Sequence, residues 1–259
     1  MISITICGIT GRMGSTLVRL AGEHADLRVV GGIGRTGADV AADIAVATVD
    51  NPAAALEGAD VVIDFSTASA TRALVDRAAD QLAGRALVIG TTGLDAATQE
   101  LIDRLAQRAA VLTAANFSVG VNLLEALCER VSAALDAAAY DVEIVEAHHA
   151  RKVDAPSCTA LVLAEAVARG RAQTLADVRR DGRTGETGAR PTGEIGMHAI
   201  RGGDIVGEHS VLFIGSRERI ELRHAAQDRA LFADGALTAA RWLAGRAPGR
   251  YTMRDVLDL

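Results

Sequence analysis

Short apolar runs alternate with glycine-rich turns and amphipathic stretches through the first half of the chain. Residues 2–7, 27–33, 61–65, 86–89 and 110–114 read as strands, rich in valine, isoleucine and leucine with little polar interruption. Between them, Leu17, Val18, Leu20 and Ala21 mark the inward stripe of a helix over 15–24, and further helices fit at 68–81 and 96–108. Strands apolar on both faces belong in a parallel sheet covered by helices on each side. The strand–helix alternation then predicts a right-handed, doubly wound α/β domain.

The second half changes character. Leu124, Leu127, Cys128, Val131 and Leu135 fall on one stripe of a helix over 121–135, followed by a strand over 140–146 and a helix over 156–169. A polar, glycine-containing loop spans 181–193, and three strands follow at 194–201, 205–215 and 217–226. Ile220, Leu222 and His224 alternate with Glu221, Arg223 and Ala225, the pattern of a sheet with one solvated face. Gly202-Gly203-Asp204 reads as a hairpin turn. This half is expected to be an α+β domain with a mostly antiparallel sheet and helices on one side. An alanine-rich amphipathic helix over 229–243 closes the pattern.

Composition narrows the function classes. The chain has 259 residues, 49% hydrophobic and 23% charged, enough for one large or two modest domains with their own cores. A net charge of −6 argues against a nucleic-acid or membrane-surface binder, and 4 Phe, 1 Trp and 2 Tyr are too few for base-stacking platforms. No apolar run approaches the ~20 residues of a membrane span. Cys7, Cys128 and Cys158 are widely spaced and form no metal-ligand pattern, so no metal is expected. Cys7 and Cys128 read as core residues, and a reduced, cytoplasmic setting is expected.

Two segments carry candidate chemistry. The first strand runs into Gly8-Ile9-Thr10-Gly11-Arg12-Met13-Gly14, which opens a helix. Such glycines permit a tight turn and close approach of a pyrophosphate to backbone amides at a helix N-terminus. The spacing is Gly-x-x-Gly-x-x-Gly rather than the usual Gly-x-Gly-x-x-Gly, but its strand–turn–helix context points to a dinucleotide. The second strand ends at Gly34-Arg35, where a carboxylate usually takes the ribose hydroxyls; glycine cannot, and Arg35 suits a phosphate. Gly90-Thr91-Thr92-Gly93 and Ala114-Ala115-Asn116-Phe117 follow later strands, at the ends where open parallel sheets bind ligands.

The other segment is Glu146-Ala147-His148-His149-Ala150-Arg151-Lys152-Val153-Asp154-Ala155-Pro156-Ser157-Cys158-Thr159, in the loop between a strand and a helix. Histidine exchanges protons near neutral pH, and adjacent cations can hold an anionic substrate. With Pro156 in the first helical turn, the amides of Ser157, Cys158 and Thr159 would face a carboxylate. The same string also describes a charged surface loop ahead of a capped helix.

Taken together these strings resemble the bacterial 4-hydroxy-tetrahydrodipicolinate (dihydrodipicolinate) reductase family, over nearly the whole chain. The glycine turn is similar to that family's dinucleotide loop. Asp64-Phe65-Ser66, Gly90-Thr91-Thr92-Gly93 and Ala115-Asn116-Phe117-Ser118-Val119-Gly120-Val121-Asn122 are similar to its later cofactor and hinge segments. Segment 146–161 resembles its signature, and 201–209 its second-domain hairpin. The resemblance implies a Rossmann-like dinucleotide-binding domain over 1–119 plus 229–259, and a substrate-binding and oligomerisation domain over 120–228.

By resemblance, the chain would reduce 4-hydroxy-tetrahydrodipicolinate to tetrahydrodipicolinate with NADPH or NADH, in diaminopimelate and lysine biosynthesis. It would do so as a cytoplasmic homotetramer acting on a small cyclic dicarboxylate. His148 would be the acid/base and Lys152 the proton donor. His149, Ser157, Cys158 and Thr159 would contact substrate. Gly8, Ile9, Thr10, Gly11, Arg12, Met13, Gly34, Arg35, Gly90, Thr91, Thr92, Ala114, Ala115, Asn116 and Phe117 would line the cofactor. The family usually has glycine where this chain has Cys158, and often an acid followed by arginine where it has Gly34-Arg35. The alternatives are a reductase of the same fold acting on another cyclic imine, and a non-catalytic dinucleotide-binding sensor; intact His148, His149 and Lys152 argue against the sensor.

Overall fold

The computed structural model describes residues 1–35 and 43–259. In chain order the elements are β1 (Ile2–Cys7), α1 (Arg12–Ala21), β2 (Leu27–Ile33), β3 (Ala45–Ala47), α2 (Ala53–Leu56), β4 (Val61–Asp64), α3 (Ala68–Arg77), α4 (Ala79–Leu82), β5 (Ala86–Ile89), α5 (Ala96–Ala106) and β6 (Ala110–Thr113). They continue as α6 (Val119–Ala134), β7 (Asp141–His148), α7 (Cys158–Gly170), α8 (Leu175–Val178), β8 (Arg179–Asp181), β9 (Ile195–Arg201), β10 (Gly207–Ile214), β11 (Arg219–Ala226), α9 (Ala230–Leu243), β12 (Gly249–Tyr251) and α10 (Met253–Leu257). The chain divides into two compact units, 1–119 with 230–258 and 120–229, terminal Leu259 grouping with the second. No helix among the described residues is long and apolar enough to cross a membrane.

The first unit is a seven-stranded parallel sheet in the order β12-β6-β5-β4-β1-β2-β3. Successive residues of its strands feed opposite cores. Val61 and Ile63 join Leu17 of α1 and Ala236, Leu237 and Ala240 of α9, while Val62 joins Leu74 of α3 and Ile102 and Leu105 of α5. Both faces are therefore dry, which is why these strands read as unbroken apolar runs. The order reverses between β1 and β4, and the turns after those two strands meet there. A Cβ on Gly8 would lie 2.6 Å from the Phe65 carbonyl oxygen. Such a switch point is where open α/β sheets bind ligands. The stretch expected as one helix over 68–81 breaks at Ala78 into α3 and α4. The three-residue strands β3 and β12 are additional to the expected set.

The second unit has a five-stranded sheet, β11-β10-β7-β9-β8. Val142, Ile144, Ile195, Met197, Val211 and Phe213 face a core shared with Leu124 and Cys128 of α6 and Leu163 and Val167 of α7. As expected, the sheet pairs mostly antiparallel, and in detail it is mixed. The β10–β11 and β10–β7 ladders are antiparallel, whereas β7–β9 and β8–β9 are parallel. The hairpin expected at Gly202-Gly203-Asp204 needs correcting, because β7 is inserted between β9 and β10. The glycines instead zip onto the chain leaving β7: Gly202 N–H donates to the His148 carbonyl at 3.0 Å, and Ala150 N–H to the Gly203 carbonyl at 3.1 Å.

Candidate functional site

In the first unit the glycine turn joins β1 to α1. Gly8 has φ +82°, accessible without strain to glycine alone. Gly11 is the N-cap of α1, so Arg12 and Met13 lie in its first turn rather than ahead of a helix starting at residue 15. A Cβ on Gly14 would stand 2.3 Å from the Gly8 carbonyl oxygen and 2.6 Å from the Ile9 Cα. The turn is thus closed down on bare backbone, with Thr10, Gly11 and Arg12 exposed at the helix N-terminus. Gly34 packs beside it, its Cβ position 3.3 Å from Ile9 Cγ2 and Thr10 Cγ2, and Arg35 is exposed. This cradle of main-chain atoms at a helix start fits a dinucleotide pyrophosphate.

The neighbouring strand ends carry the remaining expected positions. Thr91, Thr92, Ala114 and Ala115 line a concavity of about 290 Å³. Gly90 is pressed on Phe65, a Cβ there falling 2.2 Å from the ring. Asn116 makes a local turn, its Oδ1 accepting Ser118 N–H at 2.8 Å. Two positions are corrected in kind. Ile9 and Phe117 are 3% and 1% exposed, so their side chains are core and only their backbone is left for a ligand. Phe117 meets Phe65 edge-on at 5.4 Å.

Asp64, the last residue of β4, organises these turns. Its carboxylate accepts Ser66 N–H at 2.9 Å, Thr71 Oγ1 at 2.6 Å and Thr91 Oγ1 at 3.3 Å. Burial pushes its pKa up, against the hydrogen bonds from Ser66, Thr71 and Cys7.

In the second unit β7 runs two residues further than expected, so His148 is its last residue rather than part of a loop. It sits in ladder register with Arg201 on β9, one pair beyond Ala147 opposite Glu208 of β10. Along β7, Val142, Ile144, Glu146 and His148 share one face. Glu146 therefore enters the protein side of the sheet, 1% exposed. Its Oε2 meets His148 Nδ1 at 2.6 Å and Arg201 Nη1 at 2.8 Å; its Oε1 accepts Arg201 Nη2 at 2.7 Å and Ser157 N–H at 3.0 Å. Burial alone would raise this carboxyl, but hydrogen bonds from Arg201, His148 and Ser157 outweigh it and hold the pKa below the usual range.

Ser157 is the N-cap of α7, its Oγ accepting Ala160 N–H at 3.2 Å. Pro156 lies outside the helix, and the Ser157 amide is engaged by Glu146, which corrects the expectation that it faces a ligand. Cys158, exposed, and Thr159 are the first two helical residues. His209 of β10, opposite Glu146 in register, places Nε2 3.0 Å from Ser157 Oγ and its ring edge-on to His148 at 5.2 Å. Burial, followed by the charge of His148, pushes its pKa down to about 4, so it is neutral at neutral pH.

His149 Nε2 lies 3.1 Å from Arg229 Nη2. Arginine only donates, so this nitrogen accepts and the ring is neutral. Desolvation, and then the charges of Arg151, Arg229, His148 and Lys152, lower its pKa. Lys152 is paired with Asp154 at 2.9 Å and Arg151 with Asp204 at 2.7 Å. The segment thus gathers His148, His149, Ser157 and the start of α7, while the Lys152 ammonium is turned to its own loop. Sequence reasoning gave no role to Glu146, Arg201, His209 or Arg229. For Glu146 a signal existed: a carboxylate two residues before a histidine on the inward register of a strand.

The chain matches two family models, "Dihydrodipicolinate reductase, N-terminus" over residues 2–117 and "Dihydrodipicolinate reductase, C-terminus" over 120–257. It is 51% identical over 258 residues to the 4-hydroxy-tetrahydrodipicolinate reductase of Acidiphilium cryptum, covering 99% of this chain and 97% of that one. The Ruegeria pomeroyi reductase is 49% identical over 266 residues, covering 99% and 98%. Among solved structures, dipicolinate-bound dihydrodipicolinate reductase from Paenisporosarcina sp. TG-14 shares the fold, with a TM-score of 0.80 at 24% identity over 97% of each chain.

Proposed function

The chain belongs to the dihydrodipicolinate reductase family, and from that premise we propose how its own residues divide the work. The reaction converts 4-hydroxy-tetrahydrodipicolinate to tetrahydrodipicolinate with NADPH or NADH, in lysine and diaminopimelate biosynthesis. A hydride and a proton are added and water leaves. The reduced nicotinamide cofactor, when bound, supplies the hydride.

Backbone from Gly8 to Met13 holds the pyrophosphate against the N-terminus of α1. Gly34 offers no carboxylate to ribose hydroxyls, and the exposed Arg35 guanidinium suits a ribose phosphate. Gly90, Thr91, Thr92 and the backbone from Ala114 to Phe117 line the rest of the cofactor.

In the second unit the observation that carries the reading is the convergence of positive charge on neutral His149. Arg229 contacts it, and Arg151 and Lys152 add to the field. Such a place takes carboxylates, and the amides of Cys158 and Thr159 at the start of α7 add the helix potential. Lys152, its side chain 20% exposed, is held by Asp154, whose side chain is 48% exposed. A single ion pair open to water on its acid side can be exchanged for one with a substrate carboxylate, which recruits the ammonium. Lys152 then delivers the proton and His148 exchanges protons through the site.

The enzyme works in the cytoplasm as a homotetramer. Supporting assembly, Ile200 is 52% exposed, and with half-buried Leu212 and Ile214 it lies on the sheet face turned away from α6 and α7. The test of the site is kinetic. His148→Gln and Lys152→Ala are each expected to lower kcat by about 10²–10⁴ while leaving the Kd for NADPH unaltered. Wild-type kcat in either variant removes that residue from the chemistry.

A further inference from the structure

We propose that Glu146 is the positioning residue of this site: one carboxylate oxygen fixes the tautomer of His148, and the other ties down the start of α7. The proposal rests on His148 being the acid/base of the reductase. Its geometry leaves little freedom. Glu146 is 1% exposed, and its four hydrogen bonds fill its acceptor sites. Arg201 and the Ser157 amide can only donate. The ionised carboxylate can only accept, so the 2.6 Å contact requires a proton on His148 Nδ1. Nε2 is then the nitrogen of the neutral ring that can take a proton.

Packing on β10 holds the same ring. A Cβ on Gly207 of β10 would stand 3.0 Å from His148 Nε2 and 3.4 Å from its Cδ2. Gly207 has no left-handed backbone to explain its glycine. What the missing side chain provides is room for the ring itself, seated with Nδ1 on Glu146 and Nε2 against β10. Glu146 therefore sets which nitrogen of the seated ring carries the proton, and through Ser157 it sets where the first turn of α7 begins.

Replacing one oxygen by an amide, in Glu146→Gln, tests this directly. With its carbonyl toward Ser157 and Arg201 Nη2, the substituted side chain would turn its NH₂ toward His148 Nδ1 and one Arg201 nitrogen. The reverse orientation would set NH₂ against both the Ser157 amide and Arg201. Each orientation sets NH₂ against two donors, but only in the first can one of them, His148, become an acceptor by moving its proton to Nε2. Long-range ¹⁵N–¹H imidazole spectra, recorded at a pH where the ring is neutral, read the tautomer. Wild type is expected to show Nδ1–H and Glu146→Gln to show Nε2–H.

In kinetics, Glu146→Gln should lower kcat by about 10² or more and raise the KM for the dicarboxylate, with the Kd for NADPH unchanged. In a His148→Gln background the same change should lower kcat by no more than about twofold further. An Nε2–H tautomer in wild type, an Nδ1–H tautomer retained in Glu146→Gln, or kcat losses that multiply would each overturn the proposal. The wild-type spectrum decides even if the variant fails to fold. Wild-type kcat in His148→Gln alone would instead overturn the functional reading, leaving the tautomer result to judge Glu146.

Discussion

Adding one methyl group to the nucleotide turn, in Gly14→Ala, separates a close backbone approach from an ordinary turn. The new Cβ would lie 2.3 Å from the Gly8 carbonyl oxygen and 2.6 Å from both the Ile9 Cα and the Ile9 carbonyl oxygen. All three are main-chain atoms, so no flexible side chain can give way. Ordinary contact begins near 3.4 Å, so the turn must open by about 1 Å. Overpacking of this kind costs about 1–3 kcal/mol, partly offset by the better helix propensity of alanine, about 0.5–1 kcal/mol. Urea unfolding should therefore show a loss of about 1–2 kcal/mol. Binding should suffer more. Losing one charge-assisted hydrogen bond to a phosphate, about 1.5–3 kcal/mol, raises the Kd for NADPH roughly ten- to a hundredfold in a fluorescence titration. Gly58→Ala is the control. Its φ is +71°, yet nothing lies within 4 Å of its Cβ position, so it should lose stability and keep the wild-type Kd. A folded Gly14→Ala enzyme with wild-type affinity, or a Gly58→Ala enzyme weakened equally, would refute the reasoning.

Arg35→Ala should raise the KM for NADPH several-fold and leave that for NADH unchanged, and the wild-type chain should use NADPH at least as well as NADH. A clear wild-type preference for NADH in kcat/KM refutes both. Cys158→Gly should lower the KM for the dicarboxylate more than it alters cofactor binding, because it removes a thiol from the first turn of α7 while keeping the amide; an unchanged or higher KM shows that the thiol does not crowd the substrate. Burial acts to raise the Glu143 carboxyl, but hydrogen bonds from Arg183, His198 and Arg190 overcome it and bring its pKa to about 2, from an ordinary 4.5. A depressed carboxyl stabilises the fold above its unfolded pKa and loses that contribution as pH falls toward 2. The stability gap between wild type and Glu143→Gln should therefore narrow by up to about 3 kcal/mol between pH 6 and pH 2 in urea titrations; a gap independent of pH would contradict it.

What was legible in the sequence is what short-range physics dictates. The turn at Gly8, Gly11 and Gly14 could be read because each glycine answers a local need, namely a left-handed φ, a helix cap or bare contact. The strands of the first unit could be read because a sheet buried on both faces leaves no polar positions. Three-residue strands such as β3, β8 and β12 carry too few residues for any period to register. The hairpin at residues 202–204 was misread for another reason: turn chemistry is local, but the insertion of β7 between β9 and β10 is decided by strands distant in sequence. The same limit hid half of the site. His148 and Lys152 announce themselves as residue types, whereas Arg201 and His209 matter only because ladder register brings them beside His148 and Glu146.

This chain reduces the hydroxylated cyclic imine of its family. The reaction is followed by NADPH absorbance while the purified wild-type chain meets freshly generated 4-hydroxy-tetrahydrodipicolinate, with the product identified by mass. Oxidation of one NADPH per substrate and formation of tetrahydrodipicolinate are expected. An intact, NADPH-binding chain that leaves the absorbance unchanged, or that reduces a different cyclic imine in preference, would contradict it.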